Sequence, residues 1–121
     1  MKKRILIVED ETSIVELLTL MLTRAGYEVQ FCQNGREAIA KMKDFHPHLV
    51  ILDVMLPGLD GISIIKIMSE DEILQTTPVL VTSALVESER LFKPYLQVKG
   101  FASKPFILTE FIAQVKQYIG D

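Results

Sequence analysis

Long apolar runs, cysteine pairs and an excess of positive charge are all missing from this 121-residue sequence. Its single cysteine, Cys32, has no partner for an internal disulfide, which excludes a cross-linked scaffold. Thirteen basic residues against sixteen acidic ones leave a formal charge of −3, the reverse of the basic footprint that nonspecific nucleic-acid binding requires. Direct nucleic-acid contact is therefore not expected. The longest helix-like apolar stretch, Ile14 to Leu22, is interrupted by Glu16 and Thr19 and falls short of the roughly 20 residues of a membrane span. Met1-Lys2-Lys3-Arg4 leads into a short apolar block that soon meets Glu9 and Asp10, which is not a signal-peptide pattern. A cytoplasmic protein with no membrane partner is the expectation. No low-complexity tract is present, and with aromatics at 7% and charged residues at 24% the chain reads neither as disordered nor as fibrous.

What is present is 49% apolar residues, enough for one core and hence one domain spanning residues 1–121. Short blocks rich in Val, Ile and Leu alternate with amphipathic ones, the pattern of strands buried on both faces in a parallel α/β sheet. Arg4 to Val8 is the first strand, and apolar positions 14, 17, 18, 21 and 25 form one face of the helix after it. Ser13 with Glu16 is a candidate capping box there, and Gly26 marks the end. Glu28 to Cys32 is the second strand. Asn34 with Glu37 forms another capping box, for a helix stopped near Phe45 by His46 and Pro47. Leu49 to Leu52, the most apolar strand and so the central one, ends at Asp53. Val54 to Gly61 is loop by its proline and glycines, with Asp60 as N-cap of a helix running to Glu70. Val79 to Ser83 is the fourth strand, Gly100 to Ser103 a weak fifth, and Thr109 to Ile119 the last helix. Pro94 falls where the fourth helix belongs; since a helix-interior proline costs about 3 kcal/mol, that helix is expected to be short, kinked or begun near the proline.

In an open parallel sheet, ligands bind outside the carboxyl ends of the strands. Those ends carry Glu9-Asp10, Asp53, Ser83-Ala84 and Lys104-Pro105-Phe106. Two carboxylates about 4 Å apart repel by roughly 4 kcal/mol at an effective dielectric of 20, so such a cluster invites a divalent cation, and hard oxygen donors suit Mg²⁺. A metal, a carboxylate nucleophile and a lysine together describe a phosphoryl-transfer site.

From Ile5-Leu6-Ile7-Val8-Glu9-Asp10-Glu11 through Asp53-Val54-Met55-Leu56-Pro57-Gly58-Leu59-Asp60-Gly61 to Lys104-Pro105-Phe106, the chain resembles the receiver domain of two-component response regulators. The resemblance implies a (βα)5 doubly wound fold with a five-stranded parallel sheet in the flavodoxin-like order 2-1-3-4-5. It implies that Asp53 accepts a phosphoryl group from a sensor histidine kinase or phosphotransfer protein. Glu9 and Asp10, with Asp53 and the backbone carbonyl of Met55, would hold Mg²⁺. Ser83 and Lys104 would engage the phosphoryl group, and Ser83 with Phe101 would form the switch that alters the α4–β5–α5 surface for a downstream effector. Lys104–Pro105 would be a cis bond. Such a domain is not an enzyme in the usual sense: it catalyses only its own phosphorylation and a slow autodephosphorylation, with apolar Met55 and Leu85 flanking the path of the hydrolytic water.

The chain departs from the family pattern in places. Glu9 stands where aspartate is frequent, and its extra methylene favours contact with the metal through water. Gln97 replaces the glycine usual before the fifth strand. Ile107 occupies a capping position, which leaves Thr109 to cap the last helix. His46 and His48 are expected to be spectators, and Cys32 a small buried hydrophobe. The competing functions are a pseudo-receiver without phosphoryl chemistry, a carboxylate-cluster hydrolase, and a flavin or dinucleotide binder. The hydrolase lacks its Asp-x-Asp, Met55 standing at the second place after Asp53. The cofactor binder lacks a glycine-rich loop after the first strand.

Overall fold

The computed structural model of the chain describes residues 2–83 and 89–120. Strands β1 (Arg4–Val8), β2 (Glu28–Cys32), β3 (Leu49–Asp53), β4 (Val79–Ser83) and β5 (Val98–Ser103) alternate with helices α1 (Thr12–Arg24), α2 (Gly35–Phe45), α3 (Gly61–Glu70), α4 (Glu89–Phe92) and α5 (Leu108–Ile119). Every pairing is parallel and the order is β2-β1-β3-β4-β5, the doubly wound (βα)5 arrangement expected from the sequence. Central β3 is buried throughout.

Because side chains alternate along each strand, the sheet builds two cores. Leu6, Val8, Leu52, Val79 and Val81 pack against Met42, Ile64, Ile65 and Phe92 from α2, α3 and α4. On the other face Ile5, Ile7, Ile51 and Leu80 meet Leu18, Leu22, Phe111 and Val115 from α1 and α5.

The differences from expectation lie at element ends. The Glu11 carbonyl already accepts from the amides of Ile14 and Val15, so α1 begins at Thr12 with no side-chain cap, and the Ser13–Glu16 box does not form. Asn34 does cap α2, but through the Arg36 amide at 2.8 Å, not that of Glu37. Thr109 lies inside the first turn of α5 behind Ile107 and caps nothing. β5 starts two residues early because a register shift between Val79 and Leu80 absorbs Lys99. α4 ends at Phe92, so Pro94 follows this helix and does not begin it. The histidines are structural. His46 takes the left-handed C-cap of α2 (φ 53°), and His48 Nδ1 accepts from the Arg4 amide at 2.9 Å while its own amide donates to the Arg4 carbonyl at 2.8 Å.

Gln97 is buried, and its side-chain amide donates to the carbonyls of Leu74 (3.0 Å) and Thr77 (2.9 Å), tying the turn after α3 to the start of β5. Gln97→Leu would leave both carbonyls without that donor. It is expected to lower stability by about 1–3 kcal/mol in urea denaturation; an unchanged midpoint would remove Gln97 from the stabilising set.

Candidate phosphoryl-acceptor site

Parallel pairing aligns Val8 with Leu52 and Asp53 with Thr82, so the acids that follow β1 emerge beside the end of β3. Glu9 and Asp53 are buried (2% and 5% exposed) and Asp10 is exposed. One carboxylate oxygen from each of the three lies within 4.8 Å of the others. Lys104 enters from the loop after β5. Its Nζ donates to Glu9 Oε1 at 2.5 Å and stands 3.4 Å from Asp53 Oδ2. Glu9 Oε2 accepts from the Glu11 amide at 3.1 Å, and the Glu9 amide donates to the Cys32 carbonyl at 3.0 Å. Cys32 itself is buried, as expected.

The loop after β3 is held by close backbone approach. The Gly35 amide donates to the Pro57 carbonyl at 3.0 Å and the Gly61 amide to the Val54 carbonyl at 2.9 Å. A Cβ on Gly35 would fall 1.7 Å from the Leu59 oxygen, and one on Gly61 2.7 Å from the Asp53 oxygen, so neither position tolerates a side chain unmoved. Asp60 caps α3 through the Ser63 amide at 2.8 Å, as expected. The Met55 amide points to Asp53 Oδ1 at 3.4 Å while its side chain is exposed. Met55, Asp10, Leu56, Pro57 and Leu91 contribute to an open cleft of about 700 Å³.

Ser83 ends β4 half-buried, and its carbonyl accepts from the Lys104 amide at 3.0 Å. The Lys104–Pro105 bond is cis. Alternation sends Ser83 to the face of Val79 and Val81, and Thr82 to the opposite face with Leu80. Phe101 lies on the Ser83 face, its ring edge-on to Phe92 of α4 with centroids 6.2 Å apart. Leu85 lies outside the described residues. Gln33 was absent from the sequence-derived set. Its side-chain amide donates to the Asp10 carbonyl (3.2 Å) and Thr12 Oγ1 (3.1 Å), steadying the turn that carries Asp10. The strand-end rule, applied to β2 as well, points to it.

Burial, then the negative charge of Glu9, push the Asp53 carboxyl up to about 6, against the opposing pull of Lys104 and the Met55 amide. For Lys104, burial alone lowers the pKa, but the Glu9 hydrogen bond and the charges of Asp53 and Glu9 outweigh it and hold the ammonium above its ordinary value. A carboxyl raised in the folded state stabilises the fold below its unfolded pKa near 4, and that contribution is lost as pH rises through about 6. In metal-free protein at pH 7.5, Asp53→Asn is therefore expected to be more stable than wild type, by on the order of 1–3 kcal/mol. The difference should shrink toward zero as pH falls from 6 to 4; thermal melts in which it is constant with pH would contradict this origin.

The chain is similar to known proteins along nearly its whole length. The family described as response regulator receiver domain matches residues 5–116. The alkaline phosphatase synthesis transcriptional regulatory protein PhoP of Bacillus subtilis is 39% identical over 96% of the chain, which spans only 48% of that relative. The polar-differentiation response regulator DivK of Brucella ovis is 31% identical, with 100% of the chain and 99% of the relative covered. Among solved structures, a chemotaxis response regulator of Vibrio cholerae superposes with a TM-score of 0.90 at 27% identity, covering 98% of this chain and 99% of that one. The chain belongs to the response regulator receiver domain family of two-component signalling.

Proposed function

We propose that residues 1–121 act as one receiver domain that takes a phosphoryl group onto Asp53 from the phosphohistidine of a sensor kinase or phosphotransfer protein. The convergence of Glu9, Asp10, Asp53 and Lys104 on one edge of the sheet carries this reading. An Asp53 carboxylate oxygen attacks phosphorus, the O–P bond forms as the P–N bond breaks, and the departing imidazole leaves as the donor's neutral side chain with a proton taken from solvent water. Positioning and charge compensation do most of the work in such transfers.

The donor set fits Mg²⁺: three carboxylates supply hard oxygens, and Asp53 is buried with its charge only partly compensated. Asp10, Asp53 and the Met55 carbonyl would hold the cation, with Glu9 contributing through water. When bound, it neutralises charge between the carboxylates and the phosphoryl oxygens. Lys104 pairs with the phosphoryl group, and the Ser83 hydroxyl hydrogen-bonds it from the end of β4. Apolar Met55, together with Leu85, disfavours in-line attack by water, so the acyl phosphate is lost slowly. The domain acts in the cytoplasm on a downstream protein effector, without touching nucleic acid or membrane; no helix among the described residues is long and apolar enough to cross a membrane.

Wild type incubated with a small acyl phosphate and Mg²⁺ is expected to gain one phosphoryl mass, and Asp53→Asn or EDTA to abolish it. Stoichiometric labelling of the variant would displace Asp53 as acceptor, and labelling that ignores chelation would displace the metal.

In this reading the response lies on the α4–β5–α5 surface. A phosphoryl group adds about −1.5 to −2 charge, which draws Ser83 and Lys104 toward it. Ser83, Phe101 and Phe92 share one sheet face, so movement at the first changes the space beside the other two. With beryllium fluoride as phosphoryl mimic, amide exchange should change most between residues 85 and 106 and little in α1 or α2. Changes confined to residues 54–61 would move the output surface elsewhere.

A further inference from the structure

The acid cluster has one ammonium and two buried carboxylates that compete for it. Lys104 Nζ lies 2.5 Å from Glu9 Oε1 and 3.4 Å from Asp53 Oδ2, so the ammonium pairs with both and sits closer to Glu9. The other Glu9 oxygen is filled by the Glu11 amide at 3.1 Å, and the Glu9 amide is bonded to the Cys32 carbonyl, so this side chain is held at both ends. In strand order, β1 and β5 are separated by β3 and β4. Three strand spacings amount to roughly 14 Å between the two backbones. A lysine from one side meets a carboxylate from the other only if both side chains are long. Asp53, on the intervening β3, is nearer to β5 and already lies 3.4 Å from the ammonium.

We propose that Glu9 is the positioning residue for Lys104, its extra methylene clasping the ammonium across the sheet edge and holding it nearer to Glu9 than to the Asp53 oxygens in the resting site. Glu9 then serves the reaction less as a metal donor than as a berth. Asp53 is left open to a cation and to phosphorus, and Lys104 exchanges Glu9 for the phosphoryl oxygens after transfer. The shorter Glu9→Asp variant keeps the charge, but its reach ends before the ammonium, and Lys104 closes onto Asp53 and competes with the metal. This rests on Asp53 being the acceptor and Asp10 and Asp53 the metal donors.

The test is a double-mutant cycle on Mg²⁺ affinity, read by titration calorimetry for wild type, Glu9→Asp, Lys104→Met and the double variant. Glu9→Asp is expected to weaken Mg²⁺ about fivefold when Lys104 is present and to leave affinity within about twofold when Lys104 is Met. Equal weakening in both backgrounds, or none in either, overturns the proposal and makes Glu9 an ordinary metal neighbour. A second measurement needs no variant: side-chain NMR of ¹⁵N-lysine-labelled, metal-free wild type should place the Lys104 ammonium against the Glu9 γ protons. A contact with Asp53 β protons instead also overturns it. Wild type that neither binds Mg²⁺ nor labels on Asp53 defeats the acceptor reading itself. Wild type that labels normally while the cycle is additive defeats only the clasp.

Discussion

Charge crowding at the carboxyl edge of the sheet governs this molecule. Parallel register sets the ends of β1 and β3 side by side, and the chain places an acid at each. Two of the three carboxylates are buried, and one lysine serves both. The folded state bears this uncompensated charge as a cost, visible in the upward shift of Asp53. Whatever relieves it is favoured by the fold itself. A site with such a perturbed carboxyl is a candidate functional site on physical grounds.

The surroundings are built to hold the crowding in place. Gly35 and Gly61 let backbone approach so closely that the loop after Asp53 is clamped from two sides. Gln33 steadies the Asp10 turn, and the Cys32 carbonyl anchors the Glu9 amide. On the other side of the sheet edge, α4 seats Phe92 in the core and edge-on to Phe101. Among the described residues α4 meets the core through one large buried side chain, Phe92, so a change beside Phe101 bears directly on this helix.

The fold class and the membership of the acid cluster were legible in the residues, and the strand order followed from the family resemblance. Apolar blocks of β-branched residues define buried parallel strands whatever their neighbours, and a strand end in such a sheet faces the site by topology alone. Asp53, Asp10 and Lys104 therefore stand out in the sequence itself. Helix starts were less legible. Ser13 and Thr109 are good capping residues by type, but the helices begin where the preceding carbonyl first finds its amides, at Glu11 and Ile107. Intrinsic preference for a cap is worth about 1 kcal/mol, less than the tertiary packing that sets where the chain turns.

Partner choice was decided only by the tertiary structure. Glu9 and Lys104 are 95 residues apart, and their pairing depends on strand order, side-chain reach and the competing Asp53, none of which has a local signature. The same holds for Gln97, whose amide meets carbonyls 20 and 23 residues away, and for His48, which bonds the backbone of β1 from the end of a loop. Hydrophobic periodicity is a property of neighbours along the chain and survives in the sequence. Hydrogen bonds and ion pairs are decided over ångströms, between groups that only folding brings together.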